Sequence, residues 1–473
     1  MLKPDNIMKL KIFFLLLVLF SLPLFSQTGE EYYATAYEYY KANDFKNALY
    51  NAEKAIAAFE EDDDLVAEYY YAILVAAFSC NASSNFSKAA TLLEKGMNSY
   101  SEGEDATYAT IISTLAQAWQ VLGRIKEAEE LLLKAIPIYG DNYGEESAEY
   151  GKSLTNLATF YFIQKDFNKS ETLLLKASDI YKAVYGEEHP YYGGSLNNLA
   201  TLYRDMGNYS KAEPLYLEVI GIFKKAFGDE DINVADPLNG IGMLYYYTGN
   251  FNKAEYYLSR AVQIKKKILG ESNEDYATGI MNLGVLYNNM GNFSKAEPLI
   301  LKAIEIYKKV LGTSDPRYAQ SLNNLASLYY STKKVEKIEP LLLEVLQVYK
   351  KAYGEKHHLI ATTRQNLAQY YAMTGNYSKA EPLLMESLKY LKEVFGEEHS
   401  EYLTVYSNLG VLYYLSDQYA KAEPILKDVL RLRKKVLGEG HPDSFTSMLI
   451  LGGLYFYAGR ITEVNPLLEQ ALL

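Results

Sequence analysis

One register governs this chain. Tyr161, Tyr203, Tyr245, Tyr287, Tyr329, Tyr371, Tyr413 and Tyr455 stand 42 residues apart, and Trp119 holds the same place one period earlier. A sequence that matches itself at a fixed offset specifies one supersecondary unit many times over, and such units bury their apolar faces only by stacking on one another. Four positions before each aromatic lies an apolar residue, from Leu115, Leu157 and Leu199 through to Leu451, followed by Ala or Gly. That is the spacing of a helix stripe. Beyond the turn Gly207-Asn208-Tyr209, a second stripe of Ala212, Leu215, Tyr216, Val219, Ile220 and Phe223 keeps the spacing of an amphipathic helix. Each period therefore predicts two antiparallel helices. At 473 residues the chain is too long for one compact core, and an array that grows by addition removes that difficulty.

Local signals place the ends of the helices. Ser210-Lys-Ala-Glu213, Ser294-Lys-Ala-Glu297 and Ser378-Lys-Ala-Glu381 have the spacing of a capping box, which predicts that the second helix starts near Ser210. Gly186, Gly228, Gly270 and their successors through Gly438 mark its end, because glycine takes the left-handed geometry that stops a helix. Eight full units run from about 105 to 440, and a ninth from 441 is cut off at Leu473. Residues 27–104 hold two less regular units, Asp44-Phe45 to Ile56 and Asn85-Phe86 to Met97, separated by the acidic stretch Glu60 to Asp64; they are expected to form an N-terminal cap.

Ahead of these, Lys3, Lys9 and Lys11 precede the nine apolar residues Ile12 to Phe20, and Ser21 to Gln27 supplies a cleavage region. The stretch is too short for the roughly 20 residues of a spanning helix and reads as a signal peptide over residues 1–26. The expectation is an exported protein, periplasmic or extracellular, without a stable membrane span after cleavage. Removal of residues 1–26 takes the formal charge from -12 to -14, which argues against nucleic acid as a partner. Cys80 is the only cysteine, so no intrachain disulfide is available.

The pattern Leu199, Ala200, Tyr203, Gly207, Tyr209, Ala212 resembles the tetratricopeptide repeat. The period of 42, with Leu196-Asn-Asn-Leu-Ala200, Ala212-Glu-Pro214 and Gly186-Glu-Glu-His-Pro190, is similar to the kinesin light chain type found in exported bacterial proteins. The resemblance covers residues 105–473 and implies an all-α, right-handed α-solenoid of stacked antiparallel helix pairs. It also implies a concave face, lined by the first helix of each pair, that binds extended peptides or protein segments.

On that face the resemblance places Asn156, Asn198, Asn282, Asn324, Asn366 and Asn408, each immediately before the repeat leucine or its equivalent. In peptide-binding relatives an asparagine here contacts the ligand, and an amide offers both donor and acceptor to an extended chain. The alternative is that these amides bridge neighbouring helices. Beside them lie Arg204 and the row Phe162, Tyr246, Tyr330, Tyr414 and Phe456, which either anchors a ligand or packs between repeats. Two charge ladders complete the register: Glu129, Glu171, Glu213, Glu255, Glu297, Glu339, Glu381 and Glu423 near the start of the second helix, and Lys182, Lys224, Lys266, Lys308, Lys350, Lys392 and Lys434 near its end. Acid at the start and base at the end complement the helix dipole.

The five histidines sit at repeat boundaries, four at one repeat position, about 10 Å apart or more, and are expected to pack turns rather than bind metal. No phosphate loop, metal-spaced cluster or nucleophile–base pattern interrupts the repeats, so the expectation is a non-enzymatic protein without cofactor or metal, acting as a protein-interaction scaffold or adaptor. The alternative is a sensory or regulatory repeat region of a larger signalling or caspase-like enzyme whose catalytic domain is absent from this chain. Leu467, Leu468, Ala471 and Leu472 fall where other repeats place core residues, and self-association through that uncapped C-terminal end is expected.

Overall fold

A computed structural model describes residues 28–60, 66–100, 103–439 and 441–472. The expected signal peptide, most of the acidic stretch and the side chains beyond Leu467 lie outside the described residues. Those described form 22 α-helices and no strand. They divide into two compact units. The first, up to residue 145 apart from 121–124 and including most of the segment expected as a cap, holds α1 (Gly29–Lys41), α2 (Phe45–Phe59), α3 (Val66–Ala82), α4 (Phe86–Ser99), nearly all of α5 (Ala106–Val121) and α6 (Ile125–Tyr143). The second holds α7 (Ala148–Ile163), α8 (Phe167–Tyr185), α9 (Pro190–Asp205), α10 (Tyr209–Phe227), α11 (Ile232–Tyr247), α12 (Phe251–Leu269), α13 (Glu274–Asn289) and α14 (Phe293–Val310). It continues with α15 (Pro316–Ser331), α16 (Ile338–Tyr353), α17 (His358–Met373), α18 (Tyr377–Phe395), α19 (Ser400–Leu415), α20 (Tyr419–Leu437), α21 (Pro442–Tyr457) and α22 (Ile461–Leu472). Odd-numbered helices are the first of each pair and even-numbered the second.

Within a pair the chain reverses through a left-handed residue. Gly207 takes φ 74°, and the N–H of Asn208 then donates back to the carbonyl of Tyr203 at 2.8 Å, which closes the end of α9. The second helix starts at Tyr209, beside the expected Ser210, but serine is not its cap. Asn208 is the capping residue: its side chain accepts from the N–H of Lys211, and Ser210 Oγ donates to Asn208 Oδ1 at 3.0 Å. Asn250, Asn292 and Asp166 cap α12, α14 and α8 in the same way. An asparagine just after the left-handed glycine, at φ -86° and ψ 67° in Asn208, is already aimed at the new helix, so it takes the role two residues ahead of serine.

Freed from the cap, the glutamates do something else. Tyr203 Oη donates to Glu171 at 2.7 Å, Tyr287 to Glu255 at 2.5 Å, Tyr371 to Glu339 at 2.6 Å and Tyr413 to Glu381 at 2.6 Å, each across 32 residues into the preceding repeat. Lys211 Nζ lies 4.6 Å from the Tyr203 ring centre and 3.3 Å from Glu171, and Lys295 repeats the arrangement over Tyr287 and Glu255. Burial and the carboxylate together push the hydroxyls of Tyr203, Tyr287, Tyr371 and Tyr413 up to about 12. The ladder lysines pair locally instead: Lys182 with Glu187, Lys266 with Glu271, Lys350 with Glu355 and Lys392 with Glu397, across the turn that follows each second helix.

The core of the second unit is continuous from Ala158 to Tyr455. Along it the stack curls round on itself, for Lys165 in the turn between α7 and α8 reaches Glu401 at the start of α19, 2.5 Å away and 236 residues on. Between five and six repeats make that circuit.

Candidate partner-binding groove

In a curved stack the elements nearest one another lie on the inside. First helices touch directly at α9–α11, α11–α13, α13–α15, α17–α19 and α19–α21, so the odd-numbered helices line the inner face of the second unit. α7 and α9 make no comparably close approach, and neither do α15 and α17.

A cavity of about 340 Å³ opens between α15 and α17. Ala326, Ile338 and Leu342 form its apolar base, and Asn323, Ser327, Tyr330, Asn366, Gln369 and Tyr370 its walls. A second cavity, of about 450 Å³, continues along α17 and α19 between Gln365, Gln369, Met373, Thr404, Asn408 and Leu415. Gln369 belongs to both, so the two make one path across three repeats. Neither is lined by a charged side chain. A third, of about 480 Å³, lies between Phe162, Lys165, Arg204, Asp205, Tyr209 and Tyr247.

The structure brings only some of the sequence-predicted residues together. Tyr330 and Asn366 face each other across the first cavity and Asn408 lines the second. Arg204 lines the third, but its side chain is only 16% exposed and tied down: Nε donates to Asp205 Oδ1 at 2.7 Å and Nη1 to Tyr216 Oη at 3.4 Å. Asn282 Nδ2 donates to Asn239 Oδ1 at 2.8 Å, and Tyr246 Oη accepts from Asn289 Nδ2 at 2.8 Å; both bridge neighbouring first helices. Tyr414 packs between the rings of Tyr419 and Tyr457. Asn156, Asn198 and Asn324 line none of the three cavities; Asn198 is exposed and the other two half-buried.

Reasoning from sequence missed Asn323, Gln365 and Gln369. Gln369 stands three residues after Asn366 and so shares its helix face, a spacing that was there to be used.

The other chemistry-bearing groups serve the fold. His189, His357, His399 and His441 each cap a first helix, Nδ1 accepting the N–H two residues on at 3.1–3.3 Å. That bond needs a neutral imidazole, and burial against Tyr353, with His358 alongside, holds His357 down to about 3. Burial likewise lowers His399. Cys80 is buried and its thiol is pushed up to about 11, the reverse of what a nucleophile needs. Among the described residues no cluster of three or more His, Cys, Asp or Glu could hold a metal ion, and no helix is long and apolar enough to cross a membrane.

Residues 149–225, 194–267, 275–339, 319–393, 382–435 and 401–472 match a family model described as tetratricopeptide repeat, and residues 109–149 match a second model so described. No curated protein matches the chain. Among solved structures it is similar to a Podosopora anserina putative kinesin light chain with nearly identical TPR-like repeats, at 24% identity over 42% of this chain and 94% of that chain, TM-score 0.38. It is similar to BtubC (BKLC) from P. vanneervenii at 23% identity over 49% of this chain and 91% of that one, TM-score 0.39. A Rap protein complexed with Competence and Sporulation Factor is similar over 78% of this chain and 99% of that chain, at 13% identity and TM-score 0.52.

Proposed function

Because the chain belongs to the tetratricopeptide repeat family, we propose that it is an exported scaffold or adaptor that holds an extended segment of another protein against the inner face of its second unit. The observation that carries this reading is the continuous path from Tyr330 to Leu415, where amides alternate with apolar surface and no side chain carries a formal charge. An extended chain presents one donor and one acceptor at every residue, and Asn366, Gln369, Gln365 and Asn408 offer both. Apolar side chains on that chain find Leu342, Met373 and Leu415. The role is non-catalytic; the high thiol pKa of Cys80 supports that. The lysine-led apolar run ahead of residue 27 supports export.

Hydrogen exchange tests the location. Short random-sequence peptides are selected on the purified chain, and exchange is compared with and without the best binder. Slowed exchange concentrated in α15, α17 and α19 is the expected result. Slowing confined to α18 and α20, or to the first unit, would reject the inner face as the site.

A further inference from the structure

The cavity between α15, α16 and α17 has a cause in the sequence. Where the neighbouring pairs have Ala212, Ala254, Ala296, Ala380 and Ala422, all fully buried at the point where the two helices of a pair approach, this pair has Ile338. A branched side chain in the place of a methyl wedges the pair open. The second helix also starts late, through a 3-10 turn at Val335–Lys337 that no side chain caps. Phe167, Phe251 and Tyr419 pack on the ring five residues before them at 6.0–6.4 Å, but Val335 occupies that register here and offers Tyr330 no ring, which leaves Tyr330 49% exposed. Ser327 is small at a register that varies between repeats, from Thr159 and Thr201 to Met243, Val285 and Val411, so no larger side chain fills the space above this base. Three departures from one register (Ile338, the late uncapped start and Val335), all in one repeat, converge on one opening.

We infer that this opening is the pocket that fixes the partner's identity, taking one uncharged apolar side chain, aliphatic or aromatic, of the extended segment; the inference rests on the groove reading above. The base of Ala326, Ile338 and Leu342 favours an apolar group, and the walls hold no counter-ion, so a charged side chain would be stranded there. The walls add amide and hydroxyl groups from Asn323, Ser327, Asn366 and Gln369, which offer donors and acceptors to the main chain of the occupant. Gln369 then passes the chain on to the second cavity.

The test uses the full chain and the peptides selected on it. Ser327→Met fills the pocket with the residue that the repeat of Met243 already carries, at an exposed helix position, so folding is retained and checked by melting temperature. Thr159→Met introduces the same residue at the same register, away from the pocket. The selected peptides should share one apolar residue, and their affinity should fall about tenfold or more in Ser327→Met, the effect of losing an anchor contact, with Thr159→Met unchanged. If Ser327→Met binds them as the native chain does while exchange still slows in α17 and α19, the pocket inference fails and the groove reading stands. If no peptide is retained, or the slowed exchange lies elsewhere, both fail.

Discussion

Gly240→Asn is expected to destabilise the second unit by about 3 kcal/mol, at the upper end of what overpacking a core costs, although asparagine is the residue that six other repeats carry at this register. The reason lies one repeat earlier. Tyr216 stands where the others have Leu174, Leu258, Ile300, Leu342, Leu384 and Leu426, and its ring reaches across to α11. A Cβ at residue 240 would lie 2.5 Å from Tyr216 Cε1 and 2.7 Å from Cζ. The ring cannot swing aside: it is fully buried, and its hydroxyl is 3.0 Å from Thr201 Oγ1 and accepts from Arg204. Tyr216→Leu alone leaves a void and should also destabilise, by roughly 2 kcal/mol. The double variant restores the pairing used elsewhere in the array, so its loss should be well below the sum of the two, which a double-mutant cycle in urea measures by helical signal. A Gly240→Asn protein as stable as the native one would show that Tyr216 does not occupy that space.

Replacing Tyr203, Tyr245, Tyr287, Tyr371 and Tyr413 by Phe removes only five oxygen atoms, yet it should lower stability by roughly 5 kcal/mol, taking about 1 kcal/mol for each partly buried hydrogen bond to a carboxylate. These hydroxyls, with that of Tyr245 donating to Glu213 as the others do to their glutamates, link each repeat to the one before it, and in a linear array stability is the sum of unit and neighbour terms. The unfolding transition should therefore broaden as well as shift, because coupling between repeats is what keeps it cooperative. A single Tyr245→Phe should cost about one fifth as much. A quintuple variant no less stable than the single one would mean that the hydroxyls are satisfied equally well by water.

The paired helices and their spacing were legible because period and register report which side of a helix is buried. How two buried faces interlock is not carried by period alone. The glutamate ladder looked like a complement to the helix dipole; its tyrosine partner lies 32 residues away in the chain, and nothing local distinguishes the two roles. Ser210 looked like a cap because the motif was complete, whereas the capping atom came from Asn208, whose reach depends on the left-handed turn before it. The groove was half legible. Asn366, Asn408 and Tyr330 followed from the register, but Asn282 and Tyr246 share that register and are spent on bridges between helices. What separates them is departure from the repeat: Ile338 for alanine, Val335 for an aromatic ring, and Gly240 opposite Tyr216. Those departures are visible in the sequence once each is compared with its equivalents, and they are informative because a stacked array has little slack in which to hide a change of volume.

The central claim is that the partner is held on the inner face by amides and aromatics, and the most direct measurement is peptide affinity in two triple variants of the full chain. Tyr330, Asn366 and Gln369 replaced by Ala should lower affinity by about tenfold or more while the helical signal persists. Lys266, Lys308 and Lys350 replaced by Gln should leave it within about twofold, since exposed charges contribute little in salt. Loss of binding in the lysine variant, with the groove variant binding as the native chain does, would contradict the account and place the partner on the charged edge of the array.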